Sequence, residues 1–372
     1  MRFKSIIGQN NLKSKLTKEV LDQKISHAQM FLGEPGFGAL PMAIGFAQYL
    51  FCENRTKEDS CGTCPSCKQV AELQHPDLHF SFPTVQSISK TSDGLLSDWR
   101  KQIKEQAYFS AFDWIKRIDP KESKPIISVF ESSEIQRKLR LKSYQGGYKV
   151  LIMWLPETMN AACANKILKT LEEPPEKTLF LLVSANADGL LDTIRSRCQI
   201  IQLQRIDSAL ISEEIARKFN IDNEKCQSIT SFSQGDLLRA YEIASSNEDE
   251  DALKDAFMAM MRSSYKKNVI EMMDWAELMS KKGRERQKIF LKYTLHMLRQ
   301  CIVKNYMGEK LVQVSNEEGA FIERFSPFVS GNNIRDFMKT FDEAFYQLER
   351  NANPKILFTL LCFQSMRLLH KH

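Results

Sequence analysis

Two stretches of this chain hold residue types at spacings that could do chemistry. In "CENRTKEDSCGTCPSCK", Cys52, Cys61, Cys64 and Cys67 follow the pattern C-x8-C-x2-C-x2-C. Four thiolates at this density suit the closed tetrahedral shell of a structural zinc ion, and Gly62, Pro65 and Ser66 allow the tight turns between ligands. An iron–sulfur cluster or a CxxC redox pair would use the same residue types. A complete four-ligand set with no neighbouring acid or base favours zinc that holds a loop and does no catalysis. His75 and His79 lie nearby and are expected to be exposed or to form hydrogen bonds, outside the metal shell.

The second stretch, "LGEPGFGALPM" from Leu32 to Met42, has the glycines of a phosphate-binding loop at Gly33, Gly36 and Gly38. A working loop of the form G-x-x-x-x-G-K-[ST] cradles phosphates on backbone amides. It places lysine on the β and γ phosphates and a hydroxyl on magnesium. Here Ala39 and Leu40 remove both side-chain functions, and Glu34 adds negative charge. Hydrolysis of a nucleotide is not expected; an anion held by loop amides alone stays open.

These residues need elements to hold them. Short apolar runs at 29–32, 126–130, 149–155, 178–185 and 198–203 lack alternation, which predicts strands covered on both faces. Helical patterns at 11–23, 38–53, 132–142, 159–173 and 190–196 lie between them. This order predicts an open, mostly parallel α/β sheet. Beyond about residue 205 the strand signal ends. Residues 208–219 and 236–247 predict short helices, 245–252 an acidic joint, and 252–280, 285–307, 333–350 and 354–370 longer helices.

With 372 residues, 43% apolar and 26% charged, the chain can bury two or three cores. The net charge of +6 is a mild hint of an acidic partner. Cys163, Cys198, Cys226, Cys301 and Cys362, scattered in apolar segments, are expected to be buried thiols. No apolar run is long enough to span a membrane and "MRFKSIIGQNNLKSKL" is no signal peptide, so a cytoplasmic protein without membrane partners is expected.

Taken together, "IIGQNNLKSKL" (6–16), "ISHAQMFLGEPGFGA" (25–39), the cysteine module and residues 144–203, with "LEEPPE" and "TIRSRCQ", resemble the bacterial DNA polymerase III clamp-loader subunits. Among these the resemblance is to the delta prime type. It implies an AAA+ P-loop, RecA-like parallel-sheet domain over 1–205 carrying the inserted zinc module. A small helical lid over 206–247 and an all-helical collar over 248–372 would follow. Residues 84–125 look like an insertion relative to the family. Its Trp99, Tyr108, Phe109, Phe112 and Trp114 predict a helical hairpin packed on the body, or else a partner surface.

The resemblance also implies site residues. Trp154 and Leu155 stand where active members carry the magnesium-organising and water-activating acids, and Leu238 stands where they keep a lid arginine. ATP is therefore expected not to be hydrolysed and not to be bound. Arg197, in the Ser-Arg-Cys motif, is expected to act in trans as an arginine finger on a neighbour's γ phosphate; an arginine paired with a local carboxylate is the alternative. Implied partners are the motor and delta subunits through the collar, the sliding clamp, and primer–template DNA. Lys138, Arg140 and Lys142, along one helix, could touch DNA phosphates or form a solvated face. Two other readings remain: an active ATPase motor subunit of the same complex, and a zinc-dependent nucleic-acid adaptor.

Overall fold

Five strands, β1 (Ala28–Leu32), β2 (Leu78–Ser81), β3 (Lys149–Trp154), β4 (Thr178–Ser184) and β5 (Gln199–Gln202), form one sheet in the computed structural model. Their order is β2-β3-β4-β1-β5, and every pairing is parallel. The structure describes residues 1–121, 123–245, 250–308, 316–350 and 352–371. The chain divides into two compact units, 1–214 with 234–239, and 215–233 with 240–372.

In the first unit, helices α1 (Asn10–Leu21), α2 (Ala39–Phe51), α3 (Pro65–Ala71), α4 (Leu96–Glu105) and α5 (Ala111–Ile118) precede α6 (Val129–Arg140), α7 (Ala161–Glu172) and α8 (Asp192–Arg195). The pleat sends Phe31, Val150, Ile152, Trp154, Leu179, Leu181 and Val183 into a core shared with α1, α2 and the 84–125 insertion. The alternate residues Met30, Leu151, Met153, Phe180 and Leu182 enter a second core with α6 and α7. β3 and β4 are buried along their whole length and have no polar side to show, hence their unbroken apolar runs, whereas β5, expected to be covered on both faces, exposes Ile200 at the sheet edge. Helix α2 is buried from Ala39 to Leu50.

The expected strand at 126–130 does not form. Ile126 and Ile127 make isolated bridges to Thr84 and Met159, and α6 has begun by Val129. Ile127 is pinned between Thr158 and Asn160, across the β3–α7 connection, which leaves no room for a sheet partner. The fifth strand is β2 instead, where Leu78, Phe80 and Phe82 alternate with polar residues between Pro76 and Pro83. It is an edge strand, and its period-two pattern was the available signal.

Residues 84–121 contain the packed helical pair α4 and α5. Trp99, Tyr108, Phe109 and Trp114 are buried, while Phe112 is half-buried. Trp99 stacks on Phe82 at 4.2 Å between centroids, and Trp114 donates from Nε1 to the Pro83 carbonyl at 2.9 Å. Ser110 and Asp113 form a capping box that starts α5 immediately after the buried segment.

Helix α9 (Ser208–Phe219) begins in the first unit and ends in the second; α10 (Asn223–Ser233), not expected from the pattern, and α11 (Leu237–Ser245) follow. Of the expected acidic joint, 246–249 lie outside the described residues. The segment expected as one helix over 252–280 is two, α12 (Glu250–Tyr265) and α13 (Val269–Ser280). Lys267 turns left-handed at φ 55°, and the Asn268 side chain caps α13. Then come α14 (Arg284–Met307), α15 (Asn316–Phe325), α16 (Ile334–Glu349) and α17 (Pro354–Leu369). Trp275 lies between Phe290 and Phe358 and donates to the Ala256 carbonyl, anchoring this all-helical core. Asn353 accepts from the Lys355 and Ile356 amides at the start of α17, with Pro354 at its first position.

Candidate functional site

The glycine stretch leaves β1 and enters α2, as a phosphate loop must. Gly33 donates its N–H to the Ser184 carbonyl at 3.1 Å, Pro35–Phe37 make one tight turn, and Gly38 takes φ +87° before α2. The backbone frame is therefore present. Its side chains point the other way chemically: Ala39 and Leu40 are buried in the apolar core, as are Trp154 and Leu155 at the end of β3.

Aromatic rings of α4 and of the α4–α5 connection close over this end of the sheet. Phe109 packs on Trp154 at 5.0 Å and Trp99 does so at 5.3 Å. A small, partly open pocket remains there, lined by Gly33, Pro35, Leu40, Ala107, Phe109 and Trp154 among others. A side chain added at Gly38 would begin 3.1 Å from the Tyr108 ring, and the Tyr108 hydroxyl accepts the Ile7 amide at 3.2 Å. At the crest, a Cβ on Gly36 would fall 1.6 Å from Asp236 Oδ1 and 2.7 Å from the Leu238 nitrogen. Asp236 in turn accepts the Arg239 amide at 2.9 Å, capping α11. Leu238, at the expected lid position, is buried.

Glu157 lies just past β3. Ser184 donates its hydroxyl to Glu157 Oε2 at 2.9 Å, and burial pushes the Glu157 carboxyl above the usual carboxylate range. Leu155 itself sits in the left-handed region at φ 55°, where its carbonyl accepts both the amide and the hydroxyl of Thr158.

Arg197 follows α8. Its guanidinium donates to the Thr193 carbonyl at 2.8 Å and pairs with Glu172 at 2.6 Å, at the end of α7; its side chain is 36% exposed. Glu172 belongs to "LEEPPE", so two motifs far apart in sequence meet here. The local carboxylate considered as the alternative is thus present, and sequence reasoning did not name it. Arg195 is held separately by Asp188 and Asp192.

Cys52, Cys61, Cys64 and Cys67 converge, with their four Sγ atoms all within 4.8 Å of one another and all four thiols free. Zinc–sulfur bonds of ~2.3 Å in a tetrahedron put sulfurs ~3.8 Å apart, and the Cys61–Cys67 separation is 3.9 Å. Backbone amides point at the sulfurs: Cys61 at Cys52, Thr63 and Cys64 at Cys61, and Cys67 at Cys64. The amides of Thr63 and Cys64 bring the Cys61 thiol down to about 5, while burial raises Cys52 and Cys67. The donor set fits a closed four-thiolate ion, which would tie the end of α2 to the start of α3. Asp59, inside the same loop, accepts the Phe3 and Lys4 amides at 3.0 Å.

Both histidines lie outside this shell. His75 is buried, stacked on Phe51 at 4.0 Å, and accepts the Asp77 amide at Nδ1. His79 is half-buried on β2, where burial first, and the Lys138 charge second, bring it down to about 4.

The three basic candidates do not share one helix. Lys138 pairs with Asp93, Arg140 is exposed on the last residue of α6, and Lys142 is exposed beyond it. The five scattered cysteines, Cys163, Cys198, Cys226, Cys301 and Cys362, are buried and free. Among the described residues no helix is long and apolar enough to cross a membrane.

A parallel sheet with a glycine loop between β1 and a buried helix, with Ala39, Leu40, Trp154 and Leu155 buried beside it, defines an α/β unit of P-loop form; the second unit is helical. The chain belongs to the family described as "DNA polymerase III, delta subunit", whose sequence model matches residues 8–207, more than half of the 372. The delta' subunit of Yersinia pestis DNA polymerase III is 32% identical over 186 residues, 50% of this chain and 43% of that protein. The delta' subunit of Bacillus subtilis is 30% identical over 200 residues, 54% of this chain and 49% of that protein. The tau subunit of Bacillus subtilis aligns over 100% of this chain and 62% of its own length at 21% identity. The chain thus spans a little under half the length of the delta' relatives it matches.

Proposed function

We propose that this chain is a delta-prime-like, non-hydrolysing subunit of a DNA polymerase III clamp loader, and that it acts on ATP only through Arg197 in a neighbour's site. The observation that carries the reading is the joint burial of Ala39, Leu40, Trp154 and Leu155 in one apolar core. Phosphoryl transfer needs a cation on the phosphates, a hydroxyl and an acid for magnesium, and a group to orient water. At these positions the chain has hydrocarbon.

In this reading 1–205 is the AAA+ domain, 206–247 the lid, and 248–372 the collar that joins the other subunits. ATP taken up by the motor subunits closes the ring on the sliding clamp, and hydrolysis at primer–template DNA releases it. Arg197 keeps a fixed charge and a planar donor fork at a partly exposed position, which suits a phosphate presented by another chain. The four thiolates would hold zinc as a loop staple. Arg140 and Lys142 are the better candidates for DNA phosphates, because Lys138 is committed to Asp93.

The alignment with a tau subunit over the whole chain favours a second reading, an ATPase motor of the same complex. Turnover of ATP by the purified chain separates the two. A rate of roughly 1 per second, ordinary for an enzyme, would reject the non-hydrolysing reading.

A further inference from the structure

The segment Gln106–Ser110, which joins α4 to α5, lies over the phosphate loop. Tyr108 is 7% exposed and Phe109 3%, unusual for a connection between two surface helices. We propose that this inserted segment is the resident ligand of the loop: Ala107, Tyr108 and Phe109 fill from within the chain the place that a nucleotide takes in a working site. The inference rests on the reading that the loop has lost its phosphate chemistry and goes further, because it gives the cleft an occupant.

Three contacts carry it. Phe109 lies on Trp154, so the residue in the acid's place is the floor for an aromatic ring. Tyr108 lies against Gly38, the glycine that precedes α2, and its hydroxyl accepts the Ile7 amide. Ala107 and Phe109 line, with Leu40 and Leu155, the pocket at the loop, so the segment forms part of its wall. From the other side Asp236 and Leu238 already touch the loop crest at Gly36.

The chemistry of floor and plug is matched. An aromatic ring placed on a lysine and two carboxylates would strip their water without replacing it. On Leu40, Trp154 and Leu155 the same ring buries apolar area on both sides. The loop is therefore held in one arrangement by covalent tether, and its conformation does not respond to ATP.

The test uses the full chain, magnesium with a fluorescent ATP analogue, and amide exchange across residues 33–40. The wild type is expected to show protected loop amides and no saturable binding at millimolar analogue. Phe109→Ala should speed loop exchange by at least about tenfold, because a buried contact over the loop is gone. Tyr108→Phe keeps the ring and removes only the hydroxyl, so it should speed exchange at Ile7 while the fold stays intact. Saturable micromolar binding to the wild type without turnover would overturn the plug and leave the finger-donor reading standing. Loop exchange unchanged by Phe109→Ala, or Ile7 exchange unchanged by Tyr108→Phe, would also overturn it. Turnover of the analogue would instead overturn the non-hydrolysing reading.

Discussion

Arg197 and Glu172 stand 2.6 Å apart, joining the Ser-Arg-Cys turn to the end of α7. The pair is about one-third to two-fifths exposed on each side. Such pairs contribute at most about 1 kcal/mol. The carboxylate therefore holds the guanidinium weakly enough for a phosphate to compete. Arg197→Ala should lower the melting temperature of the chain by no more than about 4 °C and lower the DNA-stimulated ATPase of the reconstituted complex by at least about tenfold, given what arginine fingers supply elsewhere. Steady-state turnover of complexes with and without the substitution checks it; an unchanged rate would reject the finger. Glu172→Gln, which keeps the shape and removes the ionic tether, should retain that activity.

The four-thiolate group should bind one zinc ion per chain. Cys64→Ser is expected to abolish stoichiometric metal and to cost about 3 kcal/mol or more, roughly 6–12 °C in melting temperature for a unit of this size. Metal analysis beside calorimetry decides the matter. A metal-free wild type of full stability would sink the site.

His79 gives the fold an acid-sensitive point. Its pKa falls from 6.5 to about 4 on folding, chiefly through burial and then through Lys138; Asp77, Asp93 and Lys149 also face it. A lowered folded pKa contributes stability that is complete above pH 6.5 and is lost as pH falls toward 4. Denaturant titrations should show the wild type losing about 1–3 kcal/mol more than His79→Gln across that window. Parallel curves for the two proteins would refute the assignment.

Gly36 touches Asp236 so closely that no side chain fits between them. Gly36→Ala should displace the α11 cap or the loop crest and cost about 1–3 kcal/mol, the range for overpacking. Urea midpoints check the size, and faster exchange at the Arg239 amide, which Asp236 now holds, would locate the damage. A midpoint within error of wild type would show that the contact is not maintained in solution.

Much of the α/β unit was legible because its signals are local. β1, β3, β4 and β5 are apolar runs bounded by turn residues, and α1, α2, α7 and α9 fall within two residues of their expected bounds. The apolar character of Ala39, Leu40, Trp154 and Leu155, which the structure buries, could be read one residue at a time. β2 was hidden because His79 and the buried Ser81 alternate with Leu78, Phe80 and Phe82, which dilutes the apolar signal. The run at 126–130 is as apolar as a strand, but a bridge to Thr84 and the Thr158–Asn160 connection claim it first.

Residue identity by itself therefore determined which groups this chain offers: four thiolates at ligand spacing, a glycine frame followed by Ala39 and Leu40, and a fixed cation in a short turn. Only the tertiary structure decided what stands beside each of them. Glu172 beside Arg197, Phe109 on Trp154, Tyr108 over Gly38 and Asp236 against Gly36 join residues from 25 to 200 places apart. Such contacts leave no period or spacing in the chain, because they are set by how helices and strands pack and not by local backbone preference.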